Sequence, residues 1–443
     1  MAAHRTDTIA AIATPPGSGG IGVIRVSGPV VPRIAHTLLG RAPIPRHAHF
    51  LLLRDEHGEI IDSGLLLYFP APASFTAEDV LELQVHGSRP VLAMLLRRLQ
   101  QLGASPARPG EFSERAFLNG KIDLTQAEAI ADLIAAGSEA AARAAQRSLQ
   151  GVFSRAVDAL VEETTALRVR IEAAIDFAEE DIEALAPLQL TADVEGLLHN
   201  LELLLIAAEH GQRLVDGLHV VILGRPNVGK SSLLNVLAAD ERAIVTAQAG
   251  TTRDLLRETL TIDGIELTLV DTAGLRHTHD PIEIEGVRRA RAEAARADLV
   301  LHVVDPSQGH ETGLLPLDTP NLIVHNKIDL SGAAARREWI DGVEHIHLSA
   351  QRGSGLELLR ESLAQRAGAR HEGAFSARSR HLDALRQARG HLVAARAALI
   401  DGMAWELAAE DLRLAQQDLG EITGAVSSEA LLGRIFANFC IGK

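Results

Sequence analysis

The chain reads as a multidomain α/β and α+β protein, on three observations. Short strand-like runs broken by Gly/Pro turns fill residues 1–118. Long, proline-poor Ala/Leu/Glu helices fill 119–215 and resume over 373–443. Between them, over 216–372, strand-like and helical stretches alternate. Such alternation predicts a doubly wound domain on a parallel sheet. Both helical flanks share composition and no long Gly/Ser linker separates them, so the α/β domain is expected to be an insertion in one discontinuous helical domain. The length of 443 residues agrees, since about 100 to 200 residues per domain implies several domains.

In chain order, strands are predicted at 21–26, 64–69 and 80–85, with a Leu-rich helix at 90–102. The first long helix opens at Asp123-Leu124-Thr125-Gln126-Ala127-Glu128, where Thr125 and Glu128 have the spacing of a capping box. In the α/β stretch, strands are predicted at 219–223, 267–270, 299–304, 322–324 and 345–348, with a helix at 232–239. After Arg378, Leu382, Leu385, Leu392 and Leu399 share one helical face.

Composition excludes several classes. With 47% apolar and 23% charged residues the chain can build cores and is not disordered. The 43 basic and 58 acidic residues give a net charge of -15, so tight nonspecific nucleic-acid binding is excluded and any RNA contact must be local. Cys440 is the single cysteine, which rules out an intramolecular disulfide and a CxxC site and suits a reducing compartment. No run of 18 apolar residues occurs, and Pro15-Pro16-Gly17-Ser18-Gly19-Gly20 interrupts the place of a signal peptide core. A soluble, cytoplasmic protein with no membrane span is expected.

The strongest motif is Gly224-Arg225-Pro226-Asn227-Val228-Gly229-Lys230-Ser231, set between a predicted strand and a predicted helix. Glycines let backbone N–H groups close around phosphates, Lys230 reaches the β and γ oxygens, and the Ser231 hydroxyl takes Mg2+. Asp271-Thr272-Ala273-Gly274, Asn326-Lys327-Ile328-Asp329 and Ser349-Ala350-Gln351 each end a predicted strand, and they resemble the later motifs of Ras-like GTPases. Asp329 is the expected guanine reader. Gly250-Thr251-Thr252-Arg253-Asp254 offers Thr252 as the switch threonine. Leu275 stands where Ras-type enzymes carry the glutamine that orients the attacking water, so another polar group must act; spacing leaves both Glu283 and Glu285 open.

Together with these motifs, Ala13–Gly22 (ATPPGSGGIG), Pro109–Asn119 (PGEFSERAFLN), Leu431–Phe436 (LLGRIF) and the terminal Phe439-Cys440-Ile441-Gly442-Lys443 make the chain resemble the MnmE (TrmE) family of tRNA-modification GTPases over essentially its whole length. The resemblance implies a Ras-like P-loop G domain inserted into the discontinuous helical domain, preceded by a folate-binding dimerisation domain. It implies a homodimer that joins an FAD-containing MnmG-type partner in a heterotetramer or larger assembly. Their product is an aminomethyl-type group on C5 of the wobble uridine of certain tRNAs. The GTP/GDP site then comprises Asn227, Val228, Gly229, Lys230, Ser231, Ser232, Thr246, Thr251, Thr252, Asp271, Thr272, Ala273, Gly274, Asn326, Lys327, Asp329, Ser349 and Ala350.

By the same resemblance Asn227, Thr246, Gln248 and Thr251 hold K+, and Ser231 and Thr252 hold Mg2+. Glu283 rather than Glu285 positions water, with Lys230 and Thr252 completing the catalytic group. Arg25, Glu82, Lys121 and Lys443 bind 5,10-methylenetetrahydrofolate or 5-formyltetrahydrofolate. Two departures are local: Ser18 replaces a commonly basic residue, and the 305–320 stretch is short. The alternative reading is a ribosome-assembly GTPase acting as an RNA-binding switch, which would need an RNA-binding module such as a KH domain; the sequence offers none.

Three further features each carry a chemical and a structural reading. Cys440 is read as packing rather than as a nucleophile, since no partner adjoins it in sequence. His277-x-His279-Asp280 and His345-x-His347 mimic metal-ligand spacing, but fall on a switch loop and a strand. Arginines 366, 370, 378, 380, 386, 389 and 396 form the best tRNA-contact candidate; the competing expectation pairs Arg389 and Arg396 with Glu162, Glu163 or Glu172.

Overall fold

The computed structural model describes residues 7–176, 187–225, 227–238, 256–262, 265–271, 292–308, 321–366, 375–400, 404–426, 429–437, 439 and 442. The chain forms two compact units: Met1–Ala131 with Ser154–Arg168 and Leu412–Lys443, and Asp132–Phe153 with Val169–Asp411.

In the first unit, β1 (Thr8–Ile12), β2 (Gly19–Ser27), β3 (His49–Arg54), β4 (Ile60–Phe69), β5 (Val80–Gly87) and β6 (Ala104–Pro106) form one sheet in the order β3-β4-β5-β2-β1-β6. Neighbours are antiparallel except β1 and β6. Helices α1 (Val31–Leu39) and α2 (Arg89–Gln101) share a core with it, built from Ile24, Val26, Ile34, Leu81, Leu83, Leu92, Leu95 and Leu99. The three predicted strands lie within β2, β4 and β5, and the predicted helix is α2. Strands β1, β3 and β6 are additional; β6, three residues long, is too short to carry a periodic signal.

Helices α3 (Glu111–Leu118) and α4 (Leu124–Ala135) follow. The α4 start corrects the expected cap. Asp123 Oδ1 accepts from the Gln126 N–H at 2.9 Å, and the Asp123 N–H donates back to Gln126 Oε1 at 3.0 Å. The capping box is therefore Asp123/Gln126, two residues ahead of Thr125/Glu128, because Thr125 is already inside the helix and turns its hydroxyl to Asp123 and Ser154.

The second unit contains α5 (Glu139–Leu149), α7 (Pro187–Asp216) and its packing partner α11 (Ser379–Ile400), while α6 (Val152–Asp176) runs through both units. Seven strands form its sheet: β7 (Leu218–Leu223), β8 (Leu256–Ile262), β9 (Ile265–Asp271), β10 (Leu299–Val304), β11 (Asn321–His325), β12 (Arg336–Ile340) and β13 (Val343–His347). Their order is β12-β13-β11-β10-β7-β9-β8, with only the edge pairs β8–β9 and β12–β13 antiparallel. This is the doubly wound α/β domain, with α8 (Lys230–Ala238), α9 (Ile328–Ser331) and α10 (Leu356–Arg366). The edge strands β8 and β12 were not foreseen.

The sheet is inserted between two helices that pack on each other, α7 before it and α11 after it. Leu382, Leu385, Leu392 and Leu399 are all buried, as their spacing predicts. Arg389 binds elsewhere than expected. Arg389 pairs with Glu202 at 3.2 Å on α7, not with Glu162, Glu163 or Glu172, because α7 is the helix alongside α11, and Arg386 pairs with Glu209 of the same helix at 2.9 Å. Arg378 is bound to Asp132, and Arg366 to Glu344 at 2.9 Å. Arg370 lies outside the described residues. Among the described residues no helix is long and apolar enough to cross a membrane.

Candidate functional site

The phosphate loop leaves β7 at Leu223 and enters α8 at Lys230. Gly229 must be glycine: its φ is +97°, and a Cβ there would stand 2.3 Å from Asn326 Nδ2. Lys230 is buried, and its ammonium donates to the carbonyls of Gly224 at 2.8 Å and Arg225 at 3.0 Å. Ser231 and Ser232 are exposed on the first turn of α8, where backbone N–H groups and the helix dipole favour anions.

Asn326, after β11, joins three segments. Its Nδ2 donates to the Val228 carbonyl at 2.9 Å, and its Oδ1 accepts from Lys327 N at 2.8 Å and Ala350 N at 2.9 Å. With three of its four side-chain hydrogen bonds made and 2% of its surface exposed, Asn326 is a fixed junction rather than a loose loop residue. Parallel pairing of β11 with β13, His325 against His347, sets this geometry by bringing Asn326 and Ser349-Ala350 to one sheet end. Asp329 accepts a hydrogen bond from the Ser349 hydroxyl. Lys327 donates to the Asn227 carbonyl and pairs with Asp305 at 2.9 Å. Burial would raise the Asp305 carboxyl, but hydrogen bonds from Ser307 and Lys327 outweigh it and hold it at about 2. No motif in the sequence marked Asp305; its place at the end of a predicted strand was the one available signal.

Asn227, Val228, Gly229, Lys230, Asn326, Lys327, Asp329, Ser349 and Ala350 are thus brought together. Thr246, Gln248, Thr251, Thr252, Thr272, Ala273, Gly274, Leu275, Glu283 and Glu285 lie outside the described residues, and Asp271 is described as the end of β9 without its side chain.

In the first unit, Arg25 and Glu82 are register partners on β2 and β5, joined at 2.9 Å. The Arg25 guanidinium lies 5.1 Å from the Phe75 ring centre and 5.9 Å from that of Phe112. Lys121 is exposed beyond α3 and makes no ion pair with Glu82 among the described residues. Lys443 and Cys440 lie outside them, but Gly442 is placed: its φ is +93°, and a Cβ would meet the Ile12 carbonyl at 2.5 Å. The chain end therefore reaches the end of β1, whose Ala11 is the register partner of Arg25.

The histidines of the α/β sheet do not form a metal centre, and among the described residues no group of three or more His, Cys, Asp or Glu is arranged to hold an ion. Instead His325 and His347 stack at 4.2 Å, His325 Nε2 and His345 Nδ1 lie 2.9 Å apart, and His347 Nε2 meets Glu338 Oε1 at 2.7 Å. Burial, then the neighbouring imidazoles, push His325 down to about 4. His277, His279 and Asp280 lie outside the described residues.

Comparison with known proteins matches the MnmE helical domain over residues 124–440 and the N-terminus of GTP-binding protein TrmE over 8–121. The tRNA modification GTPase MnmE of Alkalilimnicola ehrlichii is 56% identical over 440 residues, covering 98% of this chain and 99% of that protein. The protein of the same name from Methylococcus capsulatus is 54% identical over 449 residues, covering all of both chains. A solved G domain, from the T. maritima FeoB iron transporter, is 27% identical and covers 34% of this chain and 98% of that one, at a TM-score of 0.27 that bears no weight. With full-length identity above one half, and both family domains matched in order, the chain belongs to the MnmE family of tRNA modification GTPases.

Proposed function

We propose that this GTPase is activated by potassium and acts as a cytoplasmic homodimer with an FAD-containing MnmG-type partner, in a heterotetramer or larger assembly. Its proposed product is the 5-carboxymethylaminomethyl (or aminomethyl) group on wobble uridine 34 of certain tRNAs. The observation that carries the nucleotide reading is the Asn326 junction, where one buried amide ties the phosphate loop to the base-reading turn and to Ser349-Ala350. In this reading Asp329 accepts from the guanine donors, Lys230 and the loop N–H groups hold the phosphates, and Ser231 with Thr252 holds Mg2+. Thr246, Thr251, Asp271, Thr272, Ala273 and Gly274 complete the GTP site.

Asn227, exposed on a left-handed turn within that loop, offers an amide oxygen of the kind an alkali cation takes, and Thr246, Gln248 and Thr251 complete the K+ shell. The cation would stabilise phosphate charge in place of an arginine finger. Glu283 orients water; Glu283→Ala should lower turnover by about 10² with GTP affinity nearly kept.

A carboxylate fixed by a guanidinium that itself lies against two aromatic rings suits a flat, donor-rich pterin, so Arg25 and Glu82, with Lys121 and Lys443, are assigned to tetrahydrofolate. The bound folate supplies the one-carbon unit. The proposed domains are 1–118 (folate binding and dimerisation), 119–215 and 373–443 (helical) and 216–372 (G domain). The test is mass analysis of wobble uridine in tRNA from cells lacking the protein. Complementation by the parent gene should restore the modified base and the Asp329→Asn gene should not; an unmodified uridine with the parent gene contradicts the reading. Hydrolysis at constant ionic strength should be weak in Na+ relative to K+, and equal rates would remove the potassium site.

A further inference from the structure

We infer that Asp305 is a positioning residue for the nucleotide site: its buried carboxylate holds the Lys327 ammonium against the Asn227 carbonyl and so couples the base-reading turn to the phosphate-loop turn. The inference deepens the guanine-nucleotide reading above and rests on it.

Strand order makes the contact. Asp305 follows β10 directly, β10 pairs in parallel with β11, and the Asn326 N–H donates to Val304 O at 2.9 Å, so Asp305 and Lys327 leave neighbouring strands side by side. Lys327 is the more exposed partner of this ion pair. Its side chain is 30% exposed, and lysine surrenders as much rotamer freedom on ordering as almost any residue. A single carbonyl acceptor, on an exposed turn with φ of +65° at Asn227, would hold such an ammonium weakly. The second acceptor is of a different kind. The Asp305 side chain is 3% exposed, and its Oδ1 accepts from Ser307 N at 3.0 Å and Ser307 Oγ at 2.6 Å, leaving Oδ2 directed at Lys327.

An exposed ion pair of this sequence separation would be worth little, but one with a buried, pre-oriented carboxylate is not of that class. Removing the charge releases the ammonium, and with it the Asn227 carbonyl and the side chain assigned to the cation.

The full-length protein tests this by steady-state GTP hydrolysis with titrations of GTP and K+, alongside thermal melts. Asp305→Asn should raise KM for GTP and the K+ concentration for half-maximal activity about tenfold, while kcat at saturation of both stays within about twofold. Asp305→Glu, which restores charge at a shifted position, should recover part of the loss. Ser307→Ala, at an exposed position, should move both quantities the same way by about two- to threefold, and it keeps the test open if Asp305→Asn does not fold. Lys327→Ala should be impaired, and adding Asp305→Asn to it should change nothing more. A lowered melting temperature with unchanged KM and K+ requirement, or additive effects in the double variant, overturns the inference alone. If Lys327→Ala leaves KM unaltered, or Asp329→Asn leaves discrimination against ATP intact, the guanine-site reading fails and the inference falls with it.

Discussion

Lys327 and Asn227 both hold left-handed backbone, with φ of +65° each, which costs a residue with a Cβ about 1 kcal/mol and persists where neighbours over-determine it. Here Asn326 and the Lys327 ammonium supply that constraint. The motif residues were legible because each carries a fixed chemical duty at a fixed spacing. The stacked imidazoles were not, since His325 and His345 stand twenty residues apart and meet only through parallel strand pairing. Their burial has a pH consequence. The native His325 titrates at about 4 against an ordinary value near 6.5, so between these values the unfolded chain binds more protons and stability rises with pH. The contribution is whole above about 6.5 and lost as pH falls toward 4. His345 is shifted down as well, by burial first, with Glu338 opposing. Urea unfolding followed by circular dichroism from pH 7.5 to 4.5 should show the midpoint falling through this window and a shallower fall in His325→Asn. An equally steep fall in the variant would place the titrating group elsewhere.

Helix α4 shows how an element can be found while its end is misjudged. Two overlapping polar/Gln-Glu pairs, Asp123/Gln126 and Thr125/Glu128, satisfy the same spacing rule, and the choice depends on where the preceding chain turns. Asp123→Ala should cost about 1 kcal/mol, while Gln126→Ala costs less, because an N-cap side chain satisfies an otherwise orphaned helix N–H. Equal midpoints for Asp123→Ala and the parent in chemical denaturation would remove the cap from the account. In α11 the heptad-like leucines were legible from spacing alone, and Leu392, fully buried, should cost about 2 to 5 kcal/mol as Leu392→Ala. Arg389 of the same helix pairs elsewhere than its periodicity suggests, for a related reason. Helical periodicity tells which side a residue faces, not which helix stands there, and α7 presents Glu202 and Glu209 at that position.

Across the molecule, the meeting of Gly442 with Ile12 brings together residues 430 positions apart, 442 minus 12. Gly442→Ala sets a Cβ against the Ile12 carbonyl on a backbone with φ of +93°, so the terminal residues should lose their seat. Calorimetry with 5-formyltetrahydrofolate should show affinity lower by about tenfold, roughly 1.4 kcal/mol, with GTP hydrolysis as in the parent. Unchanged folate affinity would mean that the chain end takes no part in that site. Local order was written in the chain: the alternation of strands and helices, the phosphate loop, the Asn326–Asp329 turn and the leucine stripe all rest on interactions spanning a few residues, and periodicity and spacing report those directly. The edge strands β8 and β12, the partners of the α11 arginines, the Asp305–Lys327 link and the seat of the chain end depended on folding. Each is a contact between segments whose adjacency follows from strand order and helix packing, and those are settled by burying many apolar faces at once. No short stretch of sequence carries that information, because the free energy that selects one pairing over another is shared by the whole core.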